Sequence, residues 1–518
     1  MSNTNRVSQE ILNRIPGYED RKAFTTQFAN ANPIILNGTE GENVKAQVRR
    51  DKIVGSLREA IEKCEIKDGM TLGFHHHFRA GDKLVMQVVE ILSEMGIKNL
   101  RVAASSLTSA HNGLVAYIEN GTVNRIETSG LRGELAKAIS QGILGDKPAV
   151  IRSHGGRANA IVSGELKIDV AFIAASSSDC MGNANGVKGK SICGSLGYAK
   201  VDAAHADKVV VVTDTVVAYP NFPQSIPQTQ VDYVAVVDEI GDSNGIMSGA
   251  TRFTTNPKEL LMAKRVLETM IATGDFVDGF SMQTGTGGAS LAVTRFVKDE
   301  VIKRGIKLSY ALGGITGPMV DLLENGLVDQ LFDTQCFDLT AAESIGKNEK
   351  HVEISADFYA SIGNKSAAVN KLDFTILSAL EIDKDFNVNV MTGSDGVIRA
   401  AAGGHPDTAG MAKNTIVVCP LTRGRLATVM DKVTTVVTPG SSIDILVTDY
   451  GVTVNPRRKD LLEKFQKAGL TLVTMDELRT IARNLIGEAK ELEFTDEVVA
   501  VVEYRDGSII DVIKKLKK

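Results

Sequence analysis

Three adjacent imidazoles, His75, His76 and His77, are followed by Arg79 in the segment GFHHHFRAGD (73–82). Histidines grouped in this way allow four uses: metal ligation, proton transfer, anion binding, or packing. If the segment starts as a strand, the side-chain period of two puts His75 and His77 on one face and His76 on the other. Two imidazoles could then share a metal. A structural zinc needs about four ligands and a catalytic one about three plus water. No H-E-x-x-H motif or cysteine cluster supplies the rest, so no metal site is expected. The RAGD turn precedes a helical pattern, and the free N–H groups and dipole at a helix start favour anions. This tilts the triplet and Arg79 toward recognition of a carboxylate.

Two further loops share that logic. TSGLRGELAKAI (128–139) carries Arg132 in a glycine-bounded turn, and IRSHGGRANAI (151–161) sets Arg152, His154 and Arg157 around two glycines. A loop arginine is more often a solvated charge, but three such loops in one half suggest a substrate with several carboxylates. The candidate binding residues are therefore His75, His76, His77, Arg79, Arg132, His154 and Arg157. In the second half, QTGTGGAS (283–290) offers Gly285, Gly287 and Gly288 ahead of a helix. Such a loop could cradle a phosphate, and a plain tight turn is equally open. The dinucleotide spacing G-x-G-x-x-G is not met. GSDGVIRAAAGGHPDTAG (393–410) combines glycines with His405 and Asp407. Glycines let a backbone approach a ligand closely, and the N–H groups of Gly403 and Gly404, with His405, could form an oxyanion hole.

These loops need a scaffold that holds them together. Apolar runs of strand length recur (NLRVAAS, DVAFIAAS, KVVVVTDTVV, VDYVAVVDEI), separated by amphipathic patterns such as DKLVMQVVEILSEMG, apolar at 84, 85, 88, 89, 91 and 92. This alternation predicts βαβ units around a mainly parallel sheet. The chain also repeats itself. GFHHHFRAGDKLVMQVVEILSEMGIKNLRVAAS begins at Gly73 and GFSMQTGTGGASLAVTRFVKDEVIKRGIKLSYALGG at Gly279, an offset of 279 − 73 = 206. LVAYIENGTVNRI from Leu114 and MVDLLENGLVDQL from Met319 follow at 319 − 114 = 205. Two matches at nearly one offset predict two similar α/β domains, 1–240 and 258–518, joined by a Gly/Ser/Thr-rich linker at 241–257. The repeat also weakens one tempting residue: Glu324 in its Glu-Asn-Gly context has Glu119 as its counterpart, and both are expected to end helices at an Asn-Gly stop.

At 518 residues the chain exceeds one ordinary core, and its hydrophobic and charged contents (43% and 23%) are globular values. A net charge of −5 gives no broad basic face for nucleic acid, and the IKKLKK terminus reads as a solvated tail. Five cysteines without a CxxC pair suit reduced thiols. The N-terminus lacks a signal-type apolar core, and no run reaches the roughly 18–20 apolar residues of a membrane helix. A cytoplasmic protein is expected.

SALEIDKDFNVNV, GSDGVIRAAAGGHPD, IVVCPLTRGRLATVM and ILVTDYGV resemble the C-terminal half of the acetyl-CoA hydrolase/transferase group. With GFHHHFRAGD and IRSHGGRANAI, the sequence resembles the citrate lyase alpha-subunit family over nearly its whole length. The resemblance implies two coenzyme A transferase-type (NagB/RpiA-like) open-sheet domains with the active site between them. It implies exchange of acetyl for citrate on an acyl-carrier-protein thioester, giving citryl-ACP and acetate, with CoA thioesters as substitutes. It implies no cofactor on this chain, a gamma carrier subunit bearing a dephospho-CoA-type arm, and a beta subunit that cleaves citryl-ACP. A homo-oligomer is expected for the isolated chain. In relatives that form an acyl-enzyme anhydride a glutamate is the nucleophile; Gly317 takes the aligned position here. That favours direct attack by citrate in a ternary complex. The alternatives are an acetyl-CoA hydrolase or a covalent glutamyl-CoA-type transferase.

Overall fold

The computed structural model describes residues 8–19, 51–247, 254–285, 287–487 and 492–517. Part of the predicted linker (248–253) and Thr286 of the glycine-rich loop lie outside them. The chain separates into two units, residues 1–52 and 53–518. In the first, a four-residue helix (Gln9–Leu12) is capped by Ser8.

The second unit holds two large sheets. The strands of the first are β1 (Ile53–Val54), β2 (Thr71–Phe74), β3 (Leu100–Ala104), β4 (Val123–Thr128), β5 (Ala149–Ile151), β6 (Val170–Ala175), β7 (Lys208–Thr213) and β8 (Tyr233–Val236). Those of the second are β9 (Phe280–Thr284), β10 (Leu308–Ile315), β11 (Val328–Cys336), β12 (His351–Glu353), β13 (Phe374–Ser378), β14 (Asn414–Val418), β15 (Ile445–Val447) and β16 (Val452–Val454). The chain ends in the hairpin β17 (Phe494–Glu503) and β18 (Ile509–Leu516). The first sheet runs β1-β8-β7-β6-β2-β3-β4-β5-β17-β18 and the second β12-β11-β10-β9-β13-β14-β15-β16. All pairings are parallel except β17–β18 and β15–β16. The closing hairpin thus belongs by hydrogen bonding to the first sheet, pairing with β5 through Ala149–Ile151.

Parallel strands covered on both faces read as unbroken apolar runs, and β2 and β6 are buried at every position. The helix predicted from periodicity forms at Leu84–Glu94 (α1), and its buried residues are Leu84, Val85, Val88, Val89 and Leu92. The repeat is visible in topology: β6-β2-β3-β4-β5 and β13-β9-β10-β11-β12 have the same order. Helices Leu114–Glu119 (α2) and Gly317–Glu324 occupy matching places, and each ends one residue before an Asn-Gly pair whose glycine is left-handed (Gly121 φ +80°, Gly326 φ +70°). Glu119 and Glu324 are exposed at these helix ends.

In each sheet the chain leaves the growing edge and returns on the far side of the first strand, between β6 and β2 and between β13 and β9. Ligands of open parallel sheets bind beyond the carboxyl ends of the strands at such a reversal. The two carboxyl edges are tied by backbone pairing. Leu131 N–H donates to Ala400 O (3.2 Å), Ala402 N–H to Ser129 O (2.8 Å) and His154 N–H to Gly403 O (2.9 Å). At the centre, a Cβ on Gly130 would lie 2.1 Å from that of Ala401. The variant Gly130→Ala should therefore force the two segments apart and cost about 1–3 kcal/mol of stability, as overpacking does. Denaturant titration checks this.

Candidate active site

Between the carboxyl edges lies a cavity of about 450 Å³. Its wall draws on the segments after β2 (His76, Arg79), β4 (Arg132) and β5 (His154), and on Gly285, Gly287, Gly288, Gly403 and Gly404. The sequence-selected loops thus converge.

Past the end of β2 the alternation continues. His76 faces the cavity, while His75 and His77 turn the other way and stack at 5.6 Å. The His76 ring contacts the Ser105 hydroxyl (2.6 Å), and its carbonyl accepts from Gln335 Nε2 (2.6 Å) across the gap. His76, Tyr198 and His154 form a stack, Tyr198 lying 5.2 Å from one imidazole and 4.5 Å from the other. Burial, then the neighbouring positive groups, push His76 well below the ordinary histidine range, and burial with Arg157 brings His154 down to about 3. Both rings are neutral at physiological pH.

Arg79 follows in a left-handed conformation (φ +52°), uncommon for a residue with a Cβ. Its carbonyl accepts from the Thr108 hydroxyl at 2.9 Å. Its guanidinium is buried, lies 4.8 Å over the Phe337 ring, and has Nη1 unpaired among the described residues. Burial and the charge of Arg132 bring it down to about 10. Burial lowers Arg132 as well, and no carboxylate pairs with it among the described residues. Two cations without a counter-charge thus share one wall. Helix ends are not part of this anion site, contrary to the sequence reading. Asp82 Oδ1 accepts from Val85 N–H (3.3 Å) at the start of α1. Asn112 Oδ1 takes the N–H groups of Glu134 (2.9 Å) and Leu135 (3.4 Å) in the helix Gly133–Ser140.

Three sequence-selected residues do not reach the cavity. Arg157 forms a two-pronged pair with Asp202 (2.7 Å each) and donates to Ala103 O (3.0 Å). His75 Nε2 lies 3.2 Å from the same carboxylate. Burial pushes Asp202 up, but Arg157 and His75 outweigh it and hold the carboxyl well below its usual range. His75, His77 and Arg157 are corrected to a buried support behind the wall, since their charges or rings are committed to the core. Arg152, also singled out in its loop, is committed to Glu127, Glu165 (3.1 Å) and Glu503 (2.6 Å).

On the opposite wall, Gly403 (φ +55°) and Gly404 line the cavity, and their N–H groups find no acceptor among the described residues. His405 does not join them as a free donor, which corrects the sequence reading. Its Nε2–H donates to Ser378 O (3.2 Å), and Nδ1 accepts from the Thr438 hydroxyl (2.7 Å). Burial brings the ring down to about 4. Asp407, two residues on, accepts from Ser153 Oγ (2.7 Å) and Gly155 N–H (2.9 Å), tying this loop to the helix His154–Ser163; burial raises it to about 6.

Gly285, Gly287 and Gly288 also line the cavity, at the start of the 17-residue helix Gly288–Arg304. A Cβ on Gly288 would lie 2.1 Å from a carboxylate oxygen of Glu259. That neighbouring carboxylate disfavours the phosphate-cradle alternative at this helix start. Gly317 begins its helix with its N–H donating to the Asp338 carboxylate (2.6 Å), and as a glycine it carries no carboxylate of its own. Among the described residues one group, Asp333, Cys336 and His351, is close enough to hold a cation. It is fully buried, and Cys336 Sγ and His351 Nε2 both donate to the same Asp333 oxygen at 2.9 Å.

The chain matches the family model described as "Citrate lyase, alpha subunit (CitF)" over residues 50–516. The chain belongs to the citrate lyase alpha-subunit family. It is 52% identical over 501 residues to the citrate lyase alpha chain of Escherichia coli, covering 96% of this chain and 98% of that one. It is 54% identical over 473 residues to that of Klebsiella pneumoniae (91% and 93%). The crystal structure of the citrate lyase alpha subunit of Streptococcus mutans in complex with citrate aligns over 100% of both chains, with 49% identity and a TM-score of 0.89. The malonate decarboxylase alpha subunit of Acinetobacter baumannii shares the fold at 16% identity, with a TM-score of 0.62 and 86% and 95% coverage. Alpha subunits of citrate lyase belong to a multi-subunit enzyme. Among the described residues no helix is long and apolar enough to cross a membrane.

Sequence reasoning missed Tyr198, Tyr359, Gln335 and Glu259, all in the cavity wall. Each is a single residue with no recurring spacing, so no local pattern marks it.

The buried imidazoles set the acid response of this family member. His76, His77, His154 and His405 have folded values below the ordinary 6.5. As pH falls below 6.5 the unfolded chain takes up protons that the folded chain refuses, and stability is lost. Asp407, raised to about 6, acts oppositely between about pH 6 and its ordinary value near 4. Glu503, also raised by burial, acts in the same direction as Asp407; the four imidazoles outweigh these two carboxyls, so the melting temperature should drop on going from about pH 7 to about pH 5. A thermal melt series checks the sign.

Proposed function

We propose that the chain is the transferase subunit of a citrate lyase, exchanging acetyl for citrate on an acyl-carrier thioester, or on a CoA thioester, to give the citryl thioester and acetate. The observation that carries this reading is the pair of uncompensated guanidiniums, Arg79 and Arg132, in one cavity wall. Cations taken from water without a partner are costly, and a multiply charged carboxylate offsets that cost when it binds. Neutral His76 and His154 add hydrogen-bonding groups for the remaining carboxyl or hydroxyl oxygens.

In this reading one citrate carboxylate attacks the acetyl carbonyl carbon. The carbonyl electron pair moves to oxygen, facing the Gly403 and Gly404 N–H groups, and returns to expel the thiolate. A mixed anhydride remains. The thiolate then attacks its citryl carbonyl, and acetate leaves. No proton is gained or lost, so the protein's contribution is positioning and charge stabilisation. Gly285, Gly287 and Gly288 bind the carrier arm. The chain itself carries no cofactor and no metal. The arm is the dephospho-CoA-type group of a gamma carrier subunit, and a beta subunit cleaves the citryl thioester. The isolated chain is a homo-oligomer of the cytoplasm that binds no nucleic acid and no membrane. We also propose the division of the chain into 1–240 and 258–518 around the 241–257 linker. A covalent route is the second reading, favoured by one observation: Glu259 lines the cavity and could act as nucleophile in place of the missing side chain at Gly317.

A lost charge-assisted hydrogen bond is worth roughly 1.5–3 kcal/mol, so Arg79→Ala and Arg132→Ala should each raise the citrate KM about 10–150-fold, with a much smaller effect on the thioester KM. Wild-type citrate kinetics in both variants would remove the basis of the reading. Initial-rate lines for citrate and acetyl-CoA should intersect, since both substrates are bound together. Parallel lines, with a mass shift on Glu259 after acetyl-CoA and borohydride, would establish the covalent route instead.

A further inference from the structure

The oxyanion site as read from sequence needs a side-chain donor, and His405 does not supply it. The cavity holds another. Tyr359 sits in the helix Ala356–Ala360, capped by the Ser355 hydroxyl, with its ring packed among Leu312, Ile354, Ala367, Val369 and Leu372. The residue is 3% exposed, yet it lines the cavity, and its hydroxyl has no hydrogen-bond partner among the described residues. The hydroxyl oxygen is open to the cavity rather than sealed in the core, so it is available to a bound ligand. The hydroxyl also lies against the glycine loop. A Cβ on Gly404 would stand 2.3 Å from Tyr359 Oη, so the glycine leaves the phenol its place. The N–H groups of Gly403 and Gly404 beside it find no acceptor among the described residues either. One side-chain donor and two main-chain donors, all unspent, therefore meet at one end of the cavity.

We propose that Tyr359 is a catalytic residue of the transfer, its O–H donating to the carbonyl oxygen of the reacting thioester beside the N–H of Gly404. This rests on the transferase reading above and extends it to the identity of the side-chain donor. When the citrate carboxylate bonds to the carbonyl carbon, the π pair goes to this oxygen, and the phenol bears on the developing charge. When the pair returns, the C–S bond breaks and the thiolate departs with its electrons. The second half, thiolate on the citryl carbonyl with acetate leaving, repeats the same change of charge on a second carbonyl oxygen. The phenol keeps its proton throughout. Burial, the charge of Asp407 and the neighbouring Tyr198 raise its titration well above the ordinary tyrosine value, so it remains a donor at any working pH.

The test uses the full chain, acetyl-CoA and citrate, with acetate release as the assay. Tyr359→Phe should lower kcat about 10²–10³-fold, the loss typical of one oxyanion donor, and leave both KM values within about threefold. A dethia analogue of acetyl-CoA, with CH2 in place of the thioester sulfur and 13C at the carbonyl, supplies a readout that a merely structural role would not move. Its bound carbonyl resonance should shift downfield on the unmodified chain and return toward the free value on Tyr359→Phe. Undiminished kcat in the variant overturns the proposal. So does a lowered kcat with an unchanged carbonyl shift. If Tyr359→Phe does not fold, 3-fluorotyrosine at 359, a more acidic donor of nearly the same size, should move the resonance further downfield, and no movement overturns the proposal. Failure of the unmodified chain to release acetate from acetyl-CoA in a citrate-dependent way overturns the transferase reading and this inference together. An active unmodified chain with an equally active variant overturns this inference alone.

Discussion

The backbone pairing of residues 129–131 with 400–402 is the constraint on which the rest depends. Parallel strands release their loops at a common edge, and each sheet by itself has only half of a site there. The hydrogen bonds from Leu131 to Ala400 and from Ala402 to Ser129 clamp the two edges face to face. His154 is registered against Gly403 by the same kind of bond, and Asp407 reaches back to Ser153 and Gly155. The segments that carry Arg79 and Arg132 and those that carry Gly403, Gly404 and Tyr359 are thereby held around one cavity. A cavity that holds both cations and neutral donors suits a reaction in which an anion attacks a carbonyl.

Holding unpaired guanidiniums out of water needs support from outside the cavity. Behind the wall, Arg157 and Asp202 form a closed pair with His75 in contact, and Arg152 is surrounded by Glu127, Glu165 and Glu503. These arginines satisfy carboxylates within the chain, whereas Arg79 and Arg132 do not. The same residue type is structural or functional according to whether the fold brings an acid to it. The imidazoles follow a parallel rule. His76 and His154 remain neutral because burial and nearby cations disfavour a further charge, so they accompany the arginines as polar neutral groups rather than adding to the repulsion.

Much of this was legible beforehand. Periodicity placed α1, and the apolar runs placed β3, β6, β7 and β8. The 205–206-residue offset foretold the shared strand order of the two sheets. The alternation argument separated His76 from His75 and His77 before any geometry was known. Five of the glycine- and arginine-bearing loops read from sequence contribute to the cavity wall, whereas the segments around Ser106, Tyr198, Gln335, Tyr359, Ser378 and Arg423 carry no such local mark. Three misassignments have one physical cause. Arg157, His405 and the helix start at Gly288 carry local chemistry, but Asp202, Thr438 with Ser378, and Glu259 meet them from 27 to 45 positions away in sequence.

The sequence by itself determined the secondary structure, the duplication, the family and the set of polar loops, since each is written in spacing over a few to a few dozen neighbouring residues. Only the tertiary structure decided which cations stay unpaired, which histidine is spent on the core, and that Tyr198 and Tyr359 belong to the site. Pairing and desolvation are properties of what surrounds a group in space, and a single tyrosine in ADFYAS carries no trace of the glycine loop that packs against it 45 residues later.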